Sequence, residues 1–302
     1  MALEATHHAN TITIFVIALP GSSWFDSLKN QLAEFNIPFE LIDAIDGRAI
    51  DAKELPKLYD EDRAPKKIGR PMTRGEIGNA LSHRKVWRIL IDRNLAAALV
   101  LEEDATIDKA FCSFLRAVPE IPANIGFLSL FTESGLVYRR ASASVGEFKL
   151  HKAAVGLAST VAYIINATYA RMLLNRKSRV ETPTDWPVMT FLEREQYLAF
   201  PMPVSHRYEE SVIEPGRAIL AQQRKPPKTL WPNWVPTWLR AAAYITCVVY
   251  LLRRDRYDGF VDYFKRQIAP RFRFAMHDIV AITELGHKWN VAEEIVEEQI
   301  ST

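Results

Sequence analysis

The sequence predicts an α/β fold: a mostly parallel sheet flanked by helices, with a helical C-terminal appendage. Three observations predict it. Near the N-terminus, strand-like, helix-like and strand-like stretches follow one another in β-α-β order, the arrangement that favours a parallel sheet. The 302 residues are 48% hydrophobic and 11% aromatic, enough for one large domain with an appendage and too apolar for a disordered chain. Beyond residue 216 the text changes in kind, to clustered prolines, tryptophans and arginines. The expected division is therefore residues 1–216 and residues 217–302.

The elements follow in order. TITIFVIALP (Thr11 to Pro20) is rich in β-branched residues and stops at Pro20-Gly21, so it reads as a buried first strand. From Ser23 to Phe35, the residues Phe25, Leu28, Leu32 and Phe35 share one helical face. PFELIDAIDG (Pro38 to Gly47) is a second strand closing in an Asp-Gly turn. Residues 51–71 are charged and proline-bearing, a surface loop with short helical turns. Met72 to Asn94 reads as a long helix, with Thr73 and Glu76 at capping-box spacing. Its buried stripe is Ile77, Ala80, Leu81, Trp87, Leu90 and Ile91. Gly75 and Gly78 would let another backbone approach it closely.

AAALVLEEDA is the third strand, Phe111 to Val118 a helix, and Ile125 to Phe131 a fourth strand. Gly156 to Lys177 starts as a strand and turns helical near Asn166. Thr182 to Glu195 is a loop leading into a short helix, and Leu198 to His206 is the last strand.

Composition narrows the function. Cys112 and Cys247 stand 135 positions apart, which fits a reduced cytosolic protein with no disulfide framework. MALEATHHAN lacks a basic and then apolar opening, so no secretory signal is expected. The longest apolar run, Ala241 to Leu252, falls short of the ~20 residues of a spanning helix. Net charge is +2, yet Arg217 to Arg273 holds 12 Lys/Arg against 3 Asp/Glu, or +9, leaving −7 elsewhere. That tract also carries Trp231, Trp234, Trp238, Tyr244 and Tyr250. Aromatic and basic residues together suit an anionic membrane surface. Packing of an extra helical subdomain is the other reading. No nucleic-acid recognition motif accompanies the charge.

The chemistry concentrates in ALVLEEDATID. In a strand, alternate side chains share a face, so Glu102 and Asp104 point together and Glu103 points away. At the carboxyl end of a strand they would lie where open α/β sheets bind ligands. Two oxygen ligands there suit Mg²⁺ or Mn²⁺ bound with a diphosphate. A solvated strand end fits the same residues.

TRGEIGNALSHRKVW followed by AAALVLEEDA resembles glycosyltransferase family 25, the lipopolysaccharide-type galactosyl- and glucosyltransferases. That family shows L-T-x-G-E-I-G-C-x-x-S-H and then I-L-E-D-D-A. FELIDAIDG before them and TPTDWPV and PMPVSHRYEESVI after them resemble shorter segments of that family, so the likeness runs from about residue 12 to 215. Three departures stand out. Glu103 replaces the usual Asp, Asn79 stands where Cys is common, and IALPGSSWFDSL lacks the arginines that follow strand one.

The resemblance implies a GT-A-like, Rossmann-like domain. It implies an inverting, metal-dependent transfer of galactose or glucose from a UDP-sugar to a lipopolysaccharide or similar glycan. Such a lipid-linked acceptor implies a cytoplasmic protein on the inner membrane face. Mn²⁺ or Mg²⁺ would rest on Glu102 and Asp104, with His206 as third ligand. Asp185 would be the base for the acceptor hydroxyl, with Glu76 and His83 close to the reaction. Of Asp43 and Asp46, at the end of strand two, one would hold the uridine or ribose, while Asp46 also fits the turn with Gly47. Thr73 and Ser82 lie on the helix whose N-terminus is a natural seat for phosphate, and with Glu103 they are expected on the donor side. The missing arginines also admit a degenerate member that acts as a membrane-associated binding or scaffold protein.

Overall fold

The computed structural model describes residues 12–207, except 69, 134, 155–156, 177–178 and 185–194, together with 279–282 and 285. The expected β-α-β opening is present: β1 is Thr13–Ala18, α1 is Ser23–Glu34 and β2 is Glu40–Asp43. A 3-10 turn, Gly47–Ala49, follows, and then the short helices α2, Leu55–Leu58, and α3, Ala64–Ile68. The long helix α4 spans Arg74–Asp92, and its N-terminus carries the full capping box from Thr73 and Glu76. Next come β3, Ala97–Glu102; β4, Ala105–Ile107; α5, Lys109–Ala117; and β5, Phe127–Ser129. Then β6 is Leu136–Tyr138, β7 is Ala143–Val145 and β8 is Phe148–Lys152. The strand-to-helix switch at Asn166 is where the sequence places it: β9 is Ala162–Asn166 and α6 is Ala167–Arg176. The last stretch splits into β10, Gln196–Phe200, and β11, Val204–His206.

Eight strands form the main sheet in the order β2-β1-β3-β9-β5-β10-β8-β7. β1 runs parallel to β2 and β3, and β5 parallel to β10, while β9 opposes both of its neighbours and β8 both of its own. Six strands therefore share one direction and two oppose it. Alternation along the central strands sorts the core into two faces. Ile14, Val16, Leu99 and Leu101 pack with Leu28 and Leu32 of α1 and with Phe111 and Phe114 of α5. Phe15, Ile17, Ala98 and Val100 pack with Val86, Trp87 and Leu90 of α4 and with Tyr169 and Leu173 of α6. The result is a sheet covered by helices on both faces, with the strand ends free to build a site.

Two glycines fix how that site is walled. A Cβ on Gly47 would lie 1.7 Å from the Arg74 carbonyl oxygen, and one on Gly78 would lie 2.3 Å from the Ile45 oxygen. The 3-10 turn thus packs backbone to backbone on the first turns of α4. The close approach expected of Gly78 is made by residues 45–47.

Residues 279–282 pack on the sheet domain. A twelfth strand, β12, Ile279–Ala281, pairs antiparallel with β6. Ile282, 8% exposed, packs with Val137, Ala153, Leu157 and Leu198. Ile282→Asp should lower stability by about 3 kcal/mol, because it places an unpaired charge in this cluster. Thermal denaturation of the full chain checks it. A region folded apart from the domain predicts no effect on the domain's transition. The remaining C-terminal expectations, including the aromatic and basic membrane contacts, lie outside the described residues.

Candidate active site

The three adjacent acids stand at the end of β3 and line one pocket with Trp24, Ile45, Asp46, Arg48, Gly75, Asn79 and Ser82. Their arrangement differs from a strand's alternation. β3 ends at Glu102, and Glu103 and Asp104 occupy the turn before β4. A turn frees side chains from the pleat, so Glu103 does not point away: it faces the same pocket.

Each acid has its own environment. Glu102 continues the α4 face of the sheet, and three donors converge on its Oε1. They are His83 Nε2 at 2.9 Å, Asn79 Nδ2 at 3.4 Å and the Thr160 hydroxyl. Thr160 is brought there by β9, since the Glu102 amide donates to the Val161 carbonyl at 2.8 Å. Burial disfavours the charge on Glu102, but the hydrogen bonds from His83, Thr160 and Asn79 outweigh it and hold its pKa below the ordinary value. Any ligand of this carboxylate must take Oε2.

Glu103 accepts from the Leu19 amide at 2.9 Å and from the Ser22 side chain. It pins the segment between β1 and α1, the segment that lacks the arginines. Two departures from the family pattern are therefore in direct contact. Burial raises the Glu103 pKa despite those bonds.

Asp104 meets β11, where its Oδ2 lies 3.1 Å from His206 Nε2. The antiparallel pairing of β11 with β4 sets His206 opposite Ala105. Asp104 Oδ1 is buried and has no hydrogen-bond partner among the described residues. Burial raises the Asp104 pKa, against the bond from His206. Burial depresses the His206 charge, but Asp104 outweighs it and raises the His206 pKa. An orphaned buried carboxylate oxygen costs about 1–3 kcal/mol and fits a site built for a cation. Asp104 supplies carboxylate oxygen, which suits Mn²⁺ or Mg²⁺, and His206 sets an imidazole nitrogen beside it. No cluster of three or more potential metal-ligating side chains forms among the described residues, so a metal held here would take further ligands from a diphosphate or water.

The other expected residues separate. Asp46 lines the pocket, caps the 3-10 turn through the Arg48 amide, and holds the Arg48 guanidinium at 2.8 Å, which keeps its pKa low. Asp43 is exposed at the end of β2 and is not part of the pocket wall; its carbonyl accepts from Lys85. Ser82 lines the pocket, but its hydroxyl donates to the Gly78 carbonyl and accepts from the Ile45 amide, both at 2.8 Å. It joins the 3-10 turn to α4. Thr73 and Glu76 form the cap, and Glu76 is fully buried in a two-pronged ion pair with Arg70 at 2.6 and 2.8 Å. An acid so engaged does not exchange protons with a substrate, and the expected catalytic place for Glu76 gives way to a structural one. His83 is wholly buried behind Glu102, so its ring is separated from the pocket by that acid. Asp185 lies outside the described residues.

Trp24, Arg48, Thr160 and Tyr163 were not foreseen from the sequence. One signal was readable: Asn79, His83 and Trp87 stand at i, i+4 and i+8 of α4, a polar-aromatic stripe on one helical face.

The model of "Glycosyltransferase family 25 (LPS biosynthesis protein)" matches residues 11–188, more than half of the chain. Procollagen galactosyltransferase 2 of Homo sapiens is 39% identical over 90 residues, 28% of this chain and 14% of that protein. Probable inactive glycosyltransferase 25 family member 3 of Bos taurus is 28% identical over 158 residues, 49% of this chain and 26% of that protein. The chain thus matches a minor part of the length of either relative. Among solved structures, mannose-1-phosphate geranyltransferase from Thermus thermophilus is similar at 14% identity and a TM-score of 0.36, over 65% of this chain and 76% of that one. A likeness that low carries no argument about activity.

Proposed function

This chain belongs to glycosyltransferase family 25, and we propose that it transfers galactose or glucose from a UDP-sugar to a lipopolysaccharide or related surface glycan, with inversion at the anomeric carbon. One observation supports the site most: the buried, unpartnered Oδ1 of Asp104 beside His206, at the wall of the pocket. Asp104 and His206 would hold Mn²⁺ or Mg²⁺, with the free oxygen of Glu102 facing the same ligand. Bound there, the cation supplies neutralising charge for the leaving diphosphate.

The chain's own residues do the rest. Asp46 and Arg48 of the 3-10 turn and Trp24 of α1 line the pocket and would face the nucleotide end. Glu103 keeps the segment between β1 and α1 in place without the arginines. Asp185, in the proline-rich sequence TPTDWPV, would take the acceptor hydroxyl's proton as that oxygen attacks the anomeric carbon. The C-O bond to the diphosphate then breaks on the opposite side. The basic-aromatic tract would hold the chain at an anionic membrane surface, near a lipid-linked acceptor. Among the described residues no helix is long and apolar enough to cross a membrane.

Incubation with a panel of nucleotide sugars and Mn²⁺, with mass detection of released UDP, tests the reading. Release from UDP-galactose or UDP-glucose, abolished by EDTA, is the expected result. The second reading, a degenerate binding or scaffold protein, is favoured by the missing strand-one arginines and by a relative described as probably inactive. It predicts no release and no thermal stabilisation by any nucleotide sugar.

Glu103→Asp restores the family's usual residue but shortens the side chain by a methylene. It should lose the bond to the Leu19 amide and raise the donor KM about tenfold. Initial rates against donor concentration check it; an unchanged KM would show that the pin does not matter to donor binding.

A further inference from the structure

Behind Glu102 lies a buried chain of hydrogen bonds that the transfer chemistry does not itself use. Trp87 Nε1 lies 3.0 Å from the Tyr163 hydroxyl, that hydroxyl lies 2.8 Å from His83 Nδ1, and His83 Nε2 lies 2.9 Å from Glu102 Oε1. His83 and Tyr163 are 0% and 1% exposed. The proton directions follow from what each group can do. Indole nitrogen only donates, so the Tyr163 oxygen accepts from Trp87. Burial raises the Tyr163 pKa, so the phenol keeps its proton and gives it to His83 Nδ1. Nδ1 is then the lone-pair nitrogen, Nε2 carries the hydrogen, and Nε2 donates to Glu102. A hydrogen on Nδ1 instead would leave the Tyr163 proton without an acceptor in a dry core, which is costly.

We propose that Trp87, Tyr163 and His83 are positioning residues that lock His83 in its Nε2-H tautomer and so fix Glu102 with Oε1 turned inward and Oε2 presented to the donor pocket. This rests on the reading of that pocket as a nucleotide-sugar site. Asn79, at the pocket wall, and Thr160 complete the clamp on Oε1. The arrangement is directional. A carboxylate with one oxygen tied to three donors cannot rotate to chelate through both oxygens, so it presents a single fixed acceptor.

The test uses the full chain labelled with ¹⁵N-histidine. Long-range ¹H-¹⁵N correlation spectra should show His83 with a protonated Nε2 and a lone-pair Nδ1. In Tyr163→Phe the Nδ1 donor is gone, and the spectrum should shift to a mixed or reversed tautomer. Titration calorimetry of UDP with Mn²⁺ should then show a Kd about tenfold weaker. His83→Gln, which keeps an amide donor for Glu102, should bind within about threefold of wild type, while His83→Phe should match or exceed the Tyr163→Phe loss. A wild-type His83 protonated on Nδ1 overturns the proposal. So does Tyr163→Phe with altered tautomer and unchanged Kd, or His83→Phe binding as well as His83→Gln. The spectrum needs no ligand, so it separates the two readings. The expected tautomer in a protein that binds no UDP overturns the donor-side purpose and the pocket reading, while the proton directions stand.

Discussion

Asp104→Asn is expected to abolish metal-dependent transfer while leaving the metal-free protein as stable as wild type or more so. The two halves have one cause. Asp104 is a buried carboxylate with one oxygen held by His206 and the other unpartnered among the described residues, and burial, which solvates the charge poorly, raises its pKa. Without a cation the charge is a liability, and a neutral amide of the same shape relieves it. The amide oxygen of the substituted side chain can still accept from His206 Nε2. The gain should be on the order of 1 kcal/mol. Loss of the cation's charge on the diphosphate removes several kcal/mol of transition-state stabilisation, a fall in rate on the order of 10²-fold or more. Thermal melts in EDTA, with UDP release measured beside them, check both. A variant that is both inactive and strongly destabilised would show that Asp104 is structural.

Gly47→Ala should have the largest effect on stability of any single methyl addition near the pocket. Its Cβ would fall 1.7 Å from the Arg74 carbonyl oxygen and 2.8 Å from the Gly78 nitrogen. Both are backbone atoms within a capped helix, so neither yields as a side-chain end would. The 3-10 turn must lift off α4, breaking the Ser82 bond to the Ile45 amide and carrying Asp46 and Arg48 with it. The cost should be about 3 kcal/mol or more, a fall in Tm of roughly 6–12 °C for a domain of this size. The same melts show whether the turn tolerates the methyl; a change under a degree or two would mean that it repacks freely.

What could be read in advance follows the range of the forces involved. β1, α1, β2 and α4 announce themselves through periodicity and caps, because each buries one face against the same core. Direction is different. Alternation reads the same in a parallel and an antiparallel strand, so nothing in AYIIN shows that β9 runs against β3 and β5. The hairpin of β7 and β8, with Gly146 at φ 54° in its turn, is built of strands too short to carry a pattern. β12 adds to β6 across more than a hundred residues, which no local signal reveals.

The site divides the same way. Glu102, Asp104 and His206 are visible because a short motif and a strand end point to them. Asn79, His83 and Trp87 are visible as a helical stripe, although its purpose is not. Thr160 and Tyr163 reach Glu102 and His83 only through the β3-β9 register, a long-range fact. Glu103 departs from its expected direction because the alternation rule stops with β3, one residue before it. Glu76 and Ser82, expected to have chemical roles, spend their hydrogen bonds on structure.

On the proposed reading, this pocket binds a nucleoside diphosphate through a cation on Asp104 and His206. Calorimetric titration of UDP into the full chain, with Mn²⁺ and again with EDTA, in wild type and in Asp104→Asn, tests it most directly. The predicted result is binding in wild type with Mn²⁺ and none in the other three titrations. Equal UDP affinity with and without the metal, or undiminished binding by Asp104→Asn, would contradict it.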